Sequence, residues 1–105
     1  MGELNGKVAI VTGAGRLRGI GRAAAVALAK LGADIVVTGT GRNPETFPDD
    51  EKAIGWKDIE SVAEQVRDLG VRALPLVSDV TKQSDVLRMV DDTIKEFGRI
   101  DILVN

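Results

Sequence analysis

The sequence contains no cysteine and no histidine, and only 3% of its 105 residues are aromatic. Without cysteine there is no disulfide framework and no thiolate nucleophile, and the usual zinc sites lose their commonest donors. Without histidine the side chain that titrates near neutrality is missing, so any proton transfer falls to other groups. No apolar run approaches 18 residues, and no charged, apolar and small-residue series marks a secretory signal. A net charge of −2 with so few aromatics offers no basic, stacking surface for nucleic acid. The expectation is a soluble cytoplasmic protein whose partners include neither membrane nor nucleic acid. A hydrophobic content of 44% over 105 residues is enough for the core of one small domain.

The chain is organised around Thr12-Gly13-Ala14-Gly15-Arg16-Leu17-Arg18-Gly19-Ile20-Gly21. Before it, Lys7 to Thr12 is a continuous β-branched run, as a strand buried on both faces requires. After it, Ile20, Ala24, Ala27, Leu28 and Leu31 recur at helical spacing and predict a helix from about Ile20 to Leu31, stopped by Gly32. Strand, glycine turn and helix in that order make a phosphate cradle: glycine lets a ligand approach the backbone, and the N–H groups at a helix start favour an anion. A dinucleotide is the leading ligand.

Asp34 to Thr38 predicts a second buried strand, reached through a helical crossover and so parallel to the first. Residues 39–57 lose all periodicity and carry Gly41, Pro44, Pro48 and Gly55, which predicts a long surface loop, either a flap or a mobile segment. Trp56 at its end is expected as a hydrophobic staple at a helix start. Asp58 is a candidate N-cap for a second helix with the stripe Ile59, Val62, Ala63, Val66 and Leu69. Arg72 to Val77 is a third strand, and Pro75 places it at a sheet edge because proline cannot donate to a ladder. Thr81 is a candidate cap for a third helix with Val86, Val90, Ile94 and Phe97 inward, and Ile100 to Val104 is a fourth strand. These elements fit an α/β, Rossmann-like half-domain over residues 1–105, with a parallel sheet of about four strands in the order 3-2-1-4 and three main helices.

Thr12-Gly13 and Gly19-Ile20-Gly21 resemble the signature of the short-chain dehydrogenase/reductase family: a threonine-glycine pair, an intervening segment, then glycine-any-glycine. Five residues, Ala14 to Arg18, separate Gly13 from Gly19 where the family has three. Asp79-Val80 resembles the family's aspartate-valine pair that contacts adenine, and Asp101 to Asn105 resembles the start of its Asn-Asn-Ala-Gly segment. Among members the chain is similar to 3-oxoacyl-acyl-carrier-protein reductases. The resemblance implies that Thr12, Gly13, Gly15, Arg16, Arg18, Gly19, Ile20, Gly21, Thr40, Arg42, Asp79, Val80 and Asn105 contact the cofactor. It implies reduction of a ketone, such as a 3-oxoacyl thioester, by NADPH.

The cofactor expectation also has a charge argument. An NAD site places an acid about twenty residues beyond the glycines, on the ribose 2′-hydroxyl. Here the second strand ends in Thr38-Gly39-Thr40-Gly41-Arg42, with no carboxylate. Arg42 follows closely, and Arg18 stands immediately before Gly19, where the resemblance implies a basic residue on the 2′-phosphate; NADP(H) is favoured over NAD(H). Two alternatives stay open: Arg16, Arg18 and Arg42 as ordinary solvated arginines, or Glu45 or Asp49 folding back as the acid for NAD. Asp79 is equally a good turn residue, and Thr12 either braces the glycine turn or is only a β-branched strand residue.

The family's serine and tyrosine-x-x-x-lysine fall beyond Asn105, and the sequence has no tyrosine. The 105 residues are expected to be the cofactor-binding half of a reductase, inactive alone; the alternative is a non-catalytic half-domain serving folding or assembly. An open fourth strand predicts a homodimer paired through that edge.

Overall fold

The computed structural model describes residues 2–105. Met1 lies outside them. The elements run β1 (Val8–Val11), α1 (Ile20–Lys30), β2 (Asp34–Gly39), a 3₁₀ turn (Pro44–Thr46), α2 (Asp49–Ala53), α3 (Ile59–Asp68), β3 (Ala73–Val77), α4 (Gln83–Phe97) and β4 (Ile102–Val104). The four strands form one parallel sheet in the order β3-β2-β1-β4, with Ile10 between Val36 and Leu103 in register. Pro75 lies on the edge strand β3, opposite Val37, where its missing N–H faces away from the ladder.

The central strands are apolar on both faces because helices cover both. Ala9, Val11, Ile35 and Val37 face α1 and α3, joined by Ala25, Ala29, Val62, Ala63 and Val66. Val8, Ile10 and Val36 face the other way, toward Met89 of α4. Each buried valine or isoleucine contributes about 1.5–3 kcal/mol of transfer free energy, so β1 and β2 anchor the domain. The ends of β1 are fastened to β4 and those of β2 to β3 by side chains. Asp101 accepts from the Val8 amide at 2.8 Å. Asp34 accepts from the amide and guanidinium of Arg72 at 2.9 and 2.8 Å. Asp34 is therefore a tie between β2 and β3.

Several expectations are corrected. The segment 39–57 is not an unstructured loop: it contains the 3₁₀ turn and α2, and it buries Phe47, Glu51 and Trp56. The three main helices are α1, α3 and α4, as expected, and α2 is a short fourth of five residues. In α1 the buried positions are Ala25 and Ala29, while Ile20 stands 89% exposed at the helix start. In α4 the buried positions are Met89 and Thr93, and Val90 and Ile94 point outward. Thr93 is satisfied within its own helix, its hydroxyl donating to the Met89 carbonyl at 2.7 Å. The N-cap position of α4 is Lys82, without a side-chain cap, and Thr81 turns back to Asp79 instead.

Candidate nucleotide-binding site

The order of the strands sets the place of the site. From β1 the chain winds outward through β2 to β3, then returns to the other side of β1 as β4, so the strand order reverses between β1 and β4. Ligands of open parallel sheets bind at such a reversal, outside the carboxyl ends of the strands. Thr12, Gly13 and Asn105 occupy those ends. The Thr12 hydroxyl donates to Asn105 Oδ1 at 2.8 Å; it ties β1 to β4 and does not brace the glycine turn.

Gly13 leaves β1 with φ +63°, a left-handed conformation that turns the chain sharply. The Ala14 amide then donates to the Thr38 carbonyl at 2.9 Å, which holds the loop against the end of β2. Gly19 is the extended N-cap of α1, with no side-chain cap and no acid in the first turn. The positive end of α1 is thus left without an anionic partner from the chain. A Cβ on Gly21 would lie 2.8 Å from the Gly13 carbonyl oxygen, so only glycine lets the helix start pack under the loop.

The two extra residues of the loop are held by residues 50–58. The Trp56 indole Nε1 donates to the Gly15 carbonyl at 2.6 Å. Glu51, 2% exposed, accepts from the Leu17 amide at 2.8 Å through one carboxylate oxygen and from Arg42 at 3.0 Å through the other. Arg18 pairs with Asp50 at the surface and holds the Asp50 carboxyl below the ordinary carboxylate range.

Arg42 is not an ordinary solvated arginine but an ion-paired one. Its guanidinium lies over the Phe47 ring, 4.4 Å from the centroid, and pairs with Asp58 Oδ1 at 2.6 Å as well as with Glu51. Burial works against the charged guanidinium, but the hydrogen bonds and charges of Asp58 and Glu51 outweigh it and raise its pKa. Arg42 NH1 and the Thr38 hydroxyl are buried without a partner. Asp58 precedes α3 as expected of a cap, yet its carboxylate makes no capping bond. Glu45 and Asp49, the acids that could have folded back, are exposed.

A cleft of about 130 Å³ runs between the glycine loop and the end of β2, lined by Gly13, Gly15, Arg16, Gly39, Thr40, Arg42 and Asp58. It gathers five of the expected residues. Arg18, Gly19, Ile20 and Gly21 lie at the start of α1 beside it. Asp79 and Val80 follow the edge strand β3, outside the cleft. Asp79 accepts from both the Thr81 hydroxyl, at 2.6 Å, and the Thr81 amide, and these bonds lower its pKa. That is the turn role left open above. Among the described residues no group of three acidic side chains is placed to hold a metal, and no helix is long and apolar enough to cross a membrane.

A doubly wound parallel sheet whose glycine loop opens onto an uncapped helix at the strand reversal is the architecture of nucleotide-binding α/β proteins. Residues 7–105 match the short chain dehydrogenase family, and the chain belongs to it. It is 41% identical over 109 residues to a 12α-hydroxysteroid dehydrogenase of a Clostridium species, covering all of this chain and 37% of that protein. Among solved structures it resembles a short chain dehydrogenase from Mycobacterium thermoresistibile, with TM-score 0.80 and 31% identity over 97% of this chain and 33% of that one. It also resembles carveol dehydrogenase from Mycobacterium avium in complex with NAD, with TM-score 0.74 and 32% identity over 98% of this chain and 36% of that one. The chain therefore spans about a third of the length of these relatives.

Proposed function

We propose that these residues are the dinucleotide-binding part of an oxidoreductase that passes hydride between a nicotinamide cofactor and a ketone or secondary alcohol. The observation that carries it is the glycine loop leading from β1 into the unpartnered positive end of α1, which suits a pyrophosphate. Thr12, Gly13, Gly15, Gly19, Ile20 and Gly21 supply the backbone of that cradle, and Asn105 lies beside it at the nicotinamide end. Asp79 and Val80 stand toward the adenine end. The names of the relatives, 12α-hydroxysteroid and carveol dehydrogenase, support a hydroxylated or keto substrate; a 3-oxoacyl thioester is one such ketone. We assign cofactor binding to these 105 residues. Calorimetric titration with NAD⁺ and NADP⁺ tests the assignment; no heat from either overturns it.

For NADP(H), the support left after Arg42 is engaged is Arg18, whose side chain is 80% exposed, together with the exposed Arg16. For NAD(H), the support is the charge of the cleft, where Asp58 stands beside Arg42, and the NAD-bound carveol dehydrogenase. Self-association is a separate proposal. On β4 Leu103 is 62% exposed, and the free edge of that strand can pair with that of a second copy. Sedimentation showing a monomer at micromolar concentration would exclude such a pair.

A further inference from the structure

Asp58 is held in a conformation that an aspartate adopts at a cost. Its φ is +59° and its ψ −131°, and it has the only positive φ among the non-glycine residues described. A glycine would fit that backbone without strain, and the side chain does not cap the helix it precedes. What the strained backbone achieves is the position of the carboxylate. It lies directly on Gly15, where any Cβ would overlap it, and a Cβ on Gly39 would come 3.4 Å from Oδ2. The carboxylate thus spans the gap between the glycine loop and the last residue of β2. That is the space into which an acid rooted at the end of β2 would reach, and β2 ends in glycine. Both Arg42 bonds, from Nε at 3.0 Å and from NH2 at 2.6 Å, go to Oδ1. Oδ2 takes no hydrogen bond among the described residues, so its lone pairs are free on the side of Gly39 and the cleft. Asp58 is 7% exposed, and Arg42 is fixed on its far side by Glu51.

We propose that Asp58 determines the cofactor preference: Oδ2 accepts the 2′-hydroxyl of the adenosine ribose and repels a 2′-phosphate, so that the protein selects NAD(H) over NADP(H). This rests on the dinucleotide reading given above. The acid that strand β2 lacks is delivered across the cleft from the residue before α3, nineteen positions beyond Gly39. Arg42 is the positioning residue. It neutralises the buried charge at Oδ1, fixes the rotamer and leaves Oδ2 as the acceptor. A 2′-phosphate placed there would stand against the Asp58 carboxylate, and the Arg42 charge that could offset it is already shared between Asp58 and Glu51.

The test is calorimetric titration of the protein and of Asp58→Asn and Asp58→Gly with NAD⁺ and NADP⁺ at one ionic strength. The unaltered protein binds NAD⁺ about tenfold or more tightly than NADP⁺, and either substitution weakens NAD⁺ by about tenfold while NADP⁺ is unchanged or tighter. Asp58→Gly suits the positive φ and separates loss of the carboxylate from loss of the fold. On the unaltered protein, 5′-AMP displaces NAD⁺ more effectively than 2′-deoxy-AMP or adenosine 2′,5′-bisphosphate. A preference for NADP⁺, equal effects of the substitutions on both cofactors, or tighter binding of the bisphosphate overturns the role of Asp58 and leaves the dinucleotide site standing. Absence of binding by either cofactor to the unaltered protein overturns the dinucleotide reading and this inference with it.

Discussion

Trp56 donates its indole N–H to the carbonyl of Gly15 at 2.6 Å, joining the glycine loop to a segment 41 residues further along the chain. The bond is buried, and the ring that makes it belongs to the same core cluster as Val11, Ile35 and Val62. The glycine loop is therefore braced from below by the insertion between β2 and α3, and its stiffness depends on that insertion.

Trp56→Phe keeps most of the apolar packing and removes the donor, leaving the Gly15 carbonyl without its partner. Loss of one buried hydrogen bond of this kind costs about 1–3 kcal/mol. The expected outcome is a lower midpoint in urea unfolding together with weaker dinucleotide binding. A variant as stable as the parent would show that the bond contributes nothing.

Arg42 and Arg18 are expected to behave in opposite ways. Arg42→Ala strands two buried carboxylates and should destabilise the fold by about 3–5 kcal/mol, enough to unfold a marginal domain. Arg18→Ala removes an exposed pair with Asp50 and should cost less than about 1 kcal/mol. Denaturant unfolding of both variants compares them directly; equal, small effects would mean that Arg42 is not the centre of a buried ion cluster.

Gly21→Ala brings a methyl group to 2.8 Å from the Gly13 carbonyl oxygen. Either α1 shifts outward or the loop does, at a cost of about 1–3 kcal/mol. Thermal unfolding should register the loss, and calorimetry should register failure to bind dinucleotide even where the variant remains folded. Retained binding would contradict the packing of loop against helix.

Acid should loosen the junction of β1 and β4. Asp101 has a lowered pKa, chiefly through the hydrogen bond from Arg99 and then that from the Val8 amide. A carboxylate whose pKa is lower folded than unfolded stabilises the fold above its unfolded value near 3.8, and that contribution disappears as pH falls through the folded value. Stability should therefore decline below about pH 4, and Asp101→Asn should flatten that part of the profile. An unchanged slope in the variant would remove Asp101 from the acid response.

Much of the sheet is legible in the residues themselves. Val8 to Val11 and Asp34 to Thr38 have no polar alternation, which is what burial on both faces demands, and Pro75 places β3 at the edge. The face of α4 is less legible. Val90 and Ile94 are as apolar as Met89, and only the position of the sheet decides that Met89 turns inward and Thr93 closes its own bond within the helix. The segment 44–53 gives no periodic signal because its helical turns are too short for one to develop. The cradle is legible through Gly13, Gly19 and Gly21. The contribution of Glu51, Trp56 and Asp58 is not, because each carries its meaning in contacts with residues 34, 41 and 43 positions earlier or, for Asp58, in a backbone angle. Arg42 is legible as a cation but not as one already paired.

Thr12 and Asn105 meet although they stand 93 positions apart, and the strands that they end, β1 and the edge strand β4, are neighbours in the sheet. A ribosome finishes β1 long before it makes the strand that covers β1 on its β4 side. Through that interval Val8, Ile10 and their neighbours depend on β2 alone for backbone pairing, and the loop closure that brings in β4 is the longest in the chain. Assembly of these four strands is therefore expected to start with β1, α1 and β2, with the β1–β4 pair beside the candidate crevice formed after them. A site that spans this pair is competent only after the described strand most distant from β1 in sequence has docked.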